Sequence, residues 1–552
     1  MKKLVLLLLV SVIYLSVNAS DTLLTKYTNR AKEICKKYVG SDIVKMRKLQ
    51  KSTQAYAVGD STSFWKWDLS GMPPQNILVS ATCRAVGDRS YVFVADDDWL
   101  TEMTQDDVDT IMHYLENATF SSSTMGIVEM DETNFGPIPD VLDSDPKVIF
   151  FFSSIASFMG TVFDGYFSSF NQITEAEAMT YGEHSNECEM LYLNCDKNQV
   201  DPVGPAMLSV MAHELEHLIH FEIDPYEESW VDEGCAEYAM VLFGHPDPLT
   251  GFPQNPGNGL TVWDSEFADY VQTQLFFTYL SEQFGGAAFI KQIVSETTTS
   301  IQGIEDALVS SGFQINFDSV FLNWTIANFL DDTSLSSGQY GYEYFDLPQF
   351  SIEASPNAFP VDETEMMYPY GCHYYDLPLV FDTIDMEVLY DYGTWNIVLL
   401  AFENDTLEEV ISSNWQDMVS FKQPTDYVLS RLVLCVSCND MSHDDYEYFI
   451  FGNDIDISSI EINIIKNIEL SSFPNPFNEL LTIEVENSKN TEASVELFNI
   501  SGQKVQTIFN GNIPAGKNSF EWNAENLSSG IYFIRLKSED YYIERKCVLQ
   551  NR

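Results

Sequence analysis

In the run from Met207 to Phe221, His213 and His217 stand four residues apart and Glu214 directly follows the first, an HExxH pattern flanked by apolar residues. On a helix this spacing puts both imidazoles on one face, one turn apart, where they can share a zinc ion. Glu214 then lies beside that face, placed to take a proton from water that zinc has made acidic and to return it to a leaving amine. Such a site needs a third protein donor and an open position. The segment from Ser229 to Tyr238 offers Glu233 and, one turn further, Glu237. His220 sits four residues after Glu216, a spacing that suits a helical pair rather than a third donor. The longer HExxHxxGxxH pattern is excluded, because His220 stands where its Gly belongs and Ile223 where its last His belongs. Peptide hydrolysis also needs a group over the developing oxyanion. Among 28 tyrosines, Tyr226, Tyr238 and Tyr270 are candidates that the sequence does not separate.

These residues need a scaffold that starts well upstream. Residues 76–83 and 90–95 alternate as strands do, and Thr104 with Asp107 three residues later announces a capped helix to Glu116. Pro146 to Phe152 and Glu189 to Asn194 read as further strands, and a turn with Pro202, Gly204 and Pro205 leads into the HExxH helix. Helical patterns continue over Asp264 to Phe284 and Ala287 to Glu296, so a largely helical lobe backs a sheet. From 341 to 465, short aromatic and β-branched runs broken by turns read as a β-sandwich. The fold class expected is therefore α+β, followed by two all-β sandwich domains.

The segment Ser229-Trp-Val-Asp-Glu-Gly-Cys-Ala-Glu-Tyr238 resembles the second active-site helix of the gluzincins. With the HExxH it is most similar to the hyicolysin-like bacterial neutral zinc metallopeptidases, over residues 55 to 330 and most densely from His213 to Tyr238. The resemblance implies a zincin-like domain in which Glu233 is the third zinc ligand and Glu237 orients a ligand imidazole from outside the coordination sphere. Asp232 stands where those relatives carry Asn, and the gap from His217 to Glu233 is a few residues shorter than theirs. In zincins the strand before the active-site helix is commonly a sheet edge that pairs with extended substrate, a place that Glu189 to Asn194 occupies.

The address is written at both ends. Met1-Lys2-Lys3, an apolar run through Val17, and Ala19 before Ser20 describe a secretory signal peptide. At the other end, Phe473-Pro-Asn-Pro-Phe477, Val495 to Val505, Trp522 and Ser529 to Leu536 resemble the C-terminal sorting domain of the type IX secretion pathway. This implies an Ig-like β-sandwich read by the secretion machinery, and a protein secreted or held on the outer surface of a Gram-negative bacterium. From Lys466 onward 9 basic residues face 11 acidic ones, so the net charge of -55 lies almost wholly upstream, as befits a separate module. That charge argues against nucleic acid and anionic membranes as partners. No stretch past the signal is long enough for a stable span in the mature protein.

The organisation expected is a signal peptide (1–19), a leading helical segment or short propeptide (20–54), a zinc metallopeptidase domain (55–340), an accessory β-sandwich (341–465) and an Ig-like sorting domain (466–552). The function expected is that of a zinc endopeptidase acting on extracellular proteins or peptides, with one catalytic zinc ion. The alternatives are a surface adhesin or binding protein with an inactive zincin domain, and an aminopeptidase, although no motif for capturing a free amine precedes the HExxH. Calcium is a second candidate cofactor at Asp140, Asp143 and Asp145, whose positions turn chemistry also explains. Among nine cysteines, export favours disulfides within the local pairs Cys188/Cys195 and Cys435/Cys438.

Overall fold

A computed structural model of the chain describes residues 55–454 and 468–549 apart from short internal stretches, and two compact units divide after Asp454. The signal peptide and the leading segment expected over residues 1–54 lie outside the described residues. The fold is α+β with several sandwich-like sheets.

The first unit opens with a six-stranded sheet built from β1 (Ser61–Asp68), β2 (Gln75–Val86), β3 (Ser90–Ala95), β4 (Val148–Ser153), β5 (Gly165–Phe167) and β6 (Met190–Asn194), in the order β1-β2-β3-β4-β6-β5. Strands β3, β4 and β6 run parallel, whereas β1, β2 and β5 pair antiparallel. The three central strands are buried at every residue, which follows from near-continuous apolar sequence covered on both faces. Val92, Phe150 and Leu191 point into the main core, and Tyr91, Phe93, Phe151 and Tyr192 into a smaller aromatic core on the opposite face.

One expectation is corrected here. Strand β6 is not a sheet edge, because β5 pairs along its outer side through Tyr166 and Tyr192. A strand buried on both faces gains most from neighbours on both sides, and the free edge passes to β5, whose three residues are too few to leave a periodic signal in sequence.

Helix α1 (Gln105–Glu116) is capped by Thr104 and Asp107 as the sequence predicts. Helices α2 (Ile127–Asn134) and α3 (Glu175–Tyr181) follow, then α4 (Pro205–Ile223), α5 (Ser229–Phe243), α6 (Phe267–Phe284), α7 (Ala287–Ser295), α8 (Ser300–Ser310) and α9 (Phe317–Leu330). Helix α4 starts on Pro205, whose missing N–H costs nothing at a first-turn position, and is buried nearly all round. Helix α5 lies against α4 on one side and α6 on the other, so closely that a Cβ on Gly234 would fall 2.3 Å from the Phe277 ring. That contact accounts for the glycine in mid-helix. It also holds α5 at a fixed distance from its partners.

Residues 361–454 form a β-sandwich of two four-stranded sheets, β11-β10-β13-β8 and β12-β9-β14-β7, where β7 is Val361–Met367, β8 Cys372–Asp376, β9 Thr383–Tyr390, β10 Trp395–Glu403, β11 Thr406–Ser412, β12 Met418–Lys422, β13 Arg431–Cys438 and β14 Tyr446–Asp454. The outer face of the first sheet, with Tyr374, Leu400 and Val433, is continuous with the core of the helical lobe, and Tyr374 donates to the Thr325 carbonyl at 2.6 Å. The second unit is another sandwich, of a three-stranded and a four-stranded antiparallel sheet over residues 468–549, closed around Trp522, Leu497 and Ile534.

Neither expected disulfide forms: Cys188 is not bonded to Cys195, nor Cys435 to Cys438. Strand parity explains both cases. Cys435 faces the helical lobe while Cys438, three residues on, faces the inside of the sandwich, and side chains at odd spacing leave opposite sides of a strand. Cys188 and Cys195 likewise face different cores, with a five-residue strand of roughly 17 Å between them.

Candidate metal centre

Helix α4 presents His213, Glu214 and His217, and α5 brings Asp232, Glu233 and Glu237 against them. His213 Nε2 lies 3.1 Å from His217 Nε2, and Glu233 Oε2 lies 3.4 Å from each. The far sides of both rings are also occupied. His213 Nδ1 is 3.2 Å from Glu237 Oε1, and His217 Nδ1 is 3.3 Å from Asp232 Oδ1. All six residues are buried, none more than 8% exposed.

This arrangement constrains the protons. A neutral imidazole that gives its Nδ1–H to a carboxylate keeps a lone pair on Nε2. With both rings so oriented, two lone pairs and a carboxylate oxygen face one another at 3.1–3.4 Å, a repulsive cluster unless a cation lies among them. The alternatives are a tautomer in which one Nε2–H donates to the other Nε2, or protonation, towards which the surroundings push: burial pulls the His213 pKa down, yet Glu233, Glu237 and Glu214 outweigh it and leave it well above the usual value. Two imidazoles and one carboxylate with their donor atoms convergent suit zinc.

Of the three tyrosines, Tyr270 on α6 is the one against the cluster, its ring centroid 6.5 Å from that of His213 and held edge-on by Trp263. Burial, with Glu233, Glu237 and Glu214, raises its pKa well above the usual phenol value, so it remains a proton donor. Tyr238 is engaged elsewhere, its hydroxyl 2.6 Å from Ser281 Oγ. The Tyr226 hydroxyl is buried without a hydrogen-bond partner among the described residues. A pocket beside His217 is lined by Phe167 of β5, Phe221, Asp224, Glu227 and Asp232.

Asp232 is the residue whose role the sequence reading missed. It enters that reading only as a replacement for Asn, and the signal available was its place next to Glu233 on the helix facing His217. At the calcium candidate the carboxylates are grouped differently from their order in the sequence. Asp140 and Asp143 do come together, but with Glu189, whereas the Asp145 carboxylate accepts the Tyr91 hydroxyl at 2.7 Å. Burial, reinforced by Asp145 and Asp140, raises the Asp143 pKa to about 6.

Comparison with known proteins bears on the tail. Residues 471–550 match the family model described as the secretion system C-terminal sorting domain. The chain therefore carries a type IX sorting signal, which directs it through that machinery out of a Bacteroidetes-type Gram-negative cell or onto its surface. No helix among the described residues is long and apolar enough to cross a membrane. No curated protein matches the chain. Among solved structures, PorZ, a surface component of the type IX secretion system of Porphyromonas gingivalis, is 14% identical over 19% of this chain and 14% of its own, with a TM-score of 0.12. Latent PorU from Porphyromonas gingivalis is 11% identical over 31% of this chain and 19% of its own, at 0.15. The adhesin domain of Epf from Streptococcus pyogenes is 10% identical over 35% of this chain and 77% of its own, at 0.15. Likenesses this faint carry no argument about fold or activity.

Proposed function

We propose that the protein is a secreted zinc endopeptidase with a zincin-like catalytic domain, in which His213, His217 and Glu233 hold one zinc ion. The observation that carries this reading is the convergence of two Nε2 atoms and one carboxylate oxygen within 3.4 Å, each imidazole backed by its own carboxylate. Bound there, zinc supplies Lewis acidity that polarises both water and a scissile carbonyl. The remaining work belongs to the chain. Glu214 takes the proton of the attacking water and passes it to the leaving amine, Glu237 and Asp232 fix the tautomers and angles of the two imidazoles, and Tyr270 donates to the oxyanion. The outer edge of β5 offers backbone groups to an extended peptide. Backbone pairing of this kind favours unfolded proteins and peptides. The same proposal keeps calcium, which prefers oxygen donors, for Asp140, Asp143 and Glu189.

Digestion of unfolded casein by the purified full chain tests the reading. Activity is expected to vanish on chelation and return with stoichiometric zinc. Cleavage untouched by the chelator, or no cleavage by folded, zinc-loaded protein, overturns it. Tyr270→Phe is expected to lower kcat by roughly 10²-fold with little change in KM, the cost of one lost oxyanion donor. A KM effect alone would remove Tyr270 from that role.

A further inference from the structure

A second triplet of donor atoms lies behind the first, on the same two helices. Glu216 and His220 stand four residues apart on α4, so they share a face of their own, three residues further along than His213 and His217. Cys235 of α5 meets them there, and one donor atom from each of the three lies within 4.8 Å of the others. All three residues are fully buried. Asp232 lies between the two groups, its Oδ1 3.3 Å from His217 Nδ1 and 3.5 Å from His220 Nδ1.

Hydrogen bonding does not account for this second group. His220 Nδ1 comes to 3.3 Å from Glu216 Oε1, yet both oxygens of Glu216 and both ring nitrogens of His220 are without a hydrogen-bond partner among the described residues. Asp131, on the helix α2 that packs against α4, is fully buried with neither oxygen bonded. Moving protons does not cure this, because a carboxyl O–H or a ring N–H still needs an acceptor in line with it. Buried polar atoms left in this state call for an ion or a water molecule. The sulfur chooses between the two, being a weak hydrogen-bond partner for water and a strong ligand for a metal.

We propose that Glu216, His220 and Cys235 hold a second divalent ion of the zinc class, structural rather than catalytic, which ties α4 to α5. One oxygen, one nitrogen and one sulfur donor suit zinc and its neighbours, whereas calcium and magnesium take oxygen alone. Full burial leaves substrate no way to reach the ion. The site shares no donor with His213, His217 and Glu233, so it stands or falls apart from the peptidase reading.

Cobalt(II) loaded into the metal-free full chain in place of zinc tests the proposal. A sulfur donor gives bound cobalt an intense charge-transfer band in the near ultraviolet, and the first centre has no sulfur. Wild type is expected to bind two ions per chain and to show the band. Glu233→Ala should keep the band and one ion. Cys235→Ala should lose the band, keep one ion and unfold at a lower temperature, since bound metal stabilises the folded chain. Where Cys235→Ala fails to fold, His220→Gln is read in the same way. Cobalt bound to wild type without the band overturns the proposal, and so does a band that survives Cys235→Ala, which would belong to another thiol. One ion per chain, with the band and indifferent to Glu233→Ala, supports the second site and sinks the first.

Discussion

Replacing Glu214 by Gln is expected to leave the zinc content of the purified chain unchanged and to lower peptide hydrolysis by roughly 10²- to 10⁴-fold. The two halves of that outcome come from different parts of the site. The converging donor atoms are His213 Nε2, His217 Nε2 and Glu233 Oε2, and Glu214 supplies none of them. Glutamine keeps the shape and hydrogen-bonding reach of the side chain but has no basic oxygen, so the proton of the attacking water has nowhere to go. Because the step lost is chemical, the fall should appear in kcat and kcat/KM together. Metal analysis beside steady-state kinetics decides the matter. Zinc lost along with activity would make Glu214 a structural support of the site, and activity retained would take the base role from it.

The second large effect separates two carboxylates one turn apart on α5. Glu233→Ala is expected to abolish retention of zinc by His213 and His217 through gel filtration, and activity with it, whereas Glu237→Ala should still load zinc there with an affinity weakened by about 10- to 100-fold. Glu233 reaches both Nε2 atoms at 3.4 Å, while Glu237 reaches only the far nitrogen of His213, at 3.2 Å. Removing a donor leaves two imidazoles, too few for a stable catalytic site. Removing an orienting carboxylate leaves three donors and a looser ring. If the two variants lost metal equally, or in the reverse order, the assignment of Glu233 as the third donor would fall.

Much of this site follows from local spacing. His213 and His217 share a face because a helix repeats every 3.6 residues, and the caps at Thr104 and Asp107 and the run into Pro205 mark where helices begin. Local spacing says much less about what lies across the fold. Cys435 and Cys438 look like a pair in sequence and face different cores in space. Asp143 and Asp145 look like one cluster, yet Asp145 turns to Tyr91 while Glu189 arrives from far along the chain, just before β6. The three tyrosines differ only in where the fold places them, Tyr226 in the turn between α4 and α5, Tyr238 on α5 and Tyr270 on α6.

The amino-acid sequence by itself determined that His213 and His217 share one face of α4 with Glu214 beside it, and the sorting signal over residues 471–550, since each depends on residues close together along the chain. Only the tertiary structure decided which carboxylate backs which imidazole, that β5 rather than β6 is the free edge, that Tyr270 faces the cluster, and that Cys235 meets Glu216 and His220. Those relations arise where α4, α5 and α6 and the sheet edge meet, and they are set by packing distances such as that of Gly234 against Phe277, which no periodicity along the chain encodes.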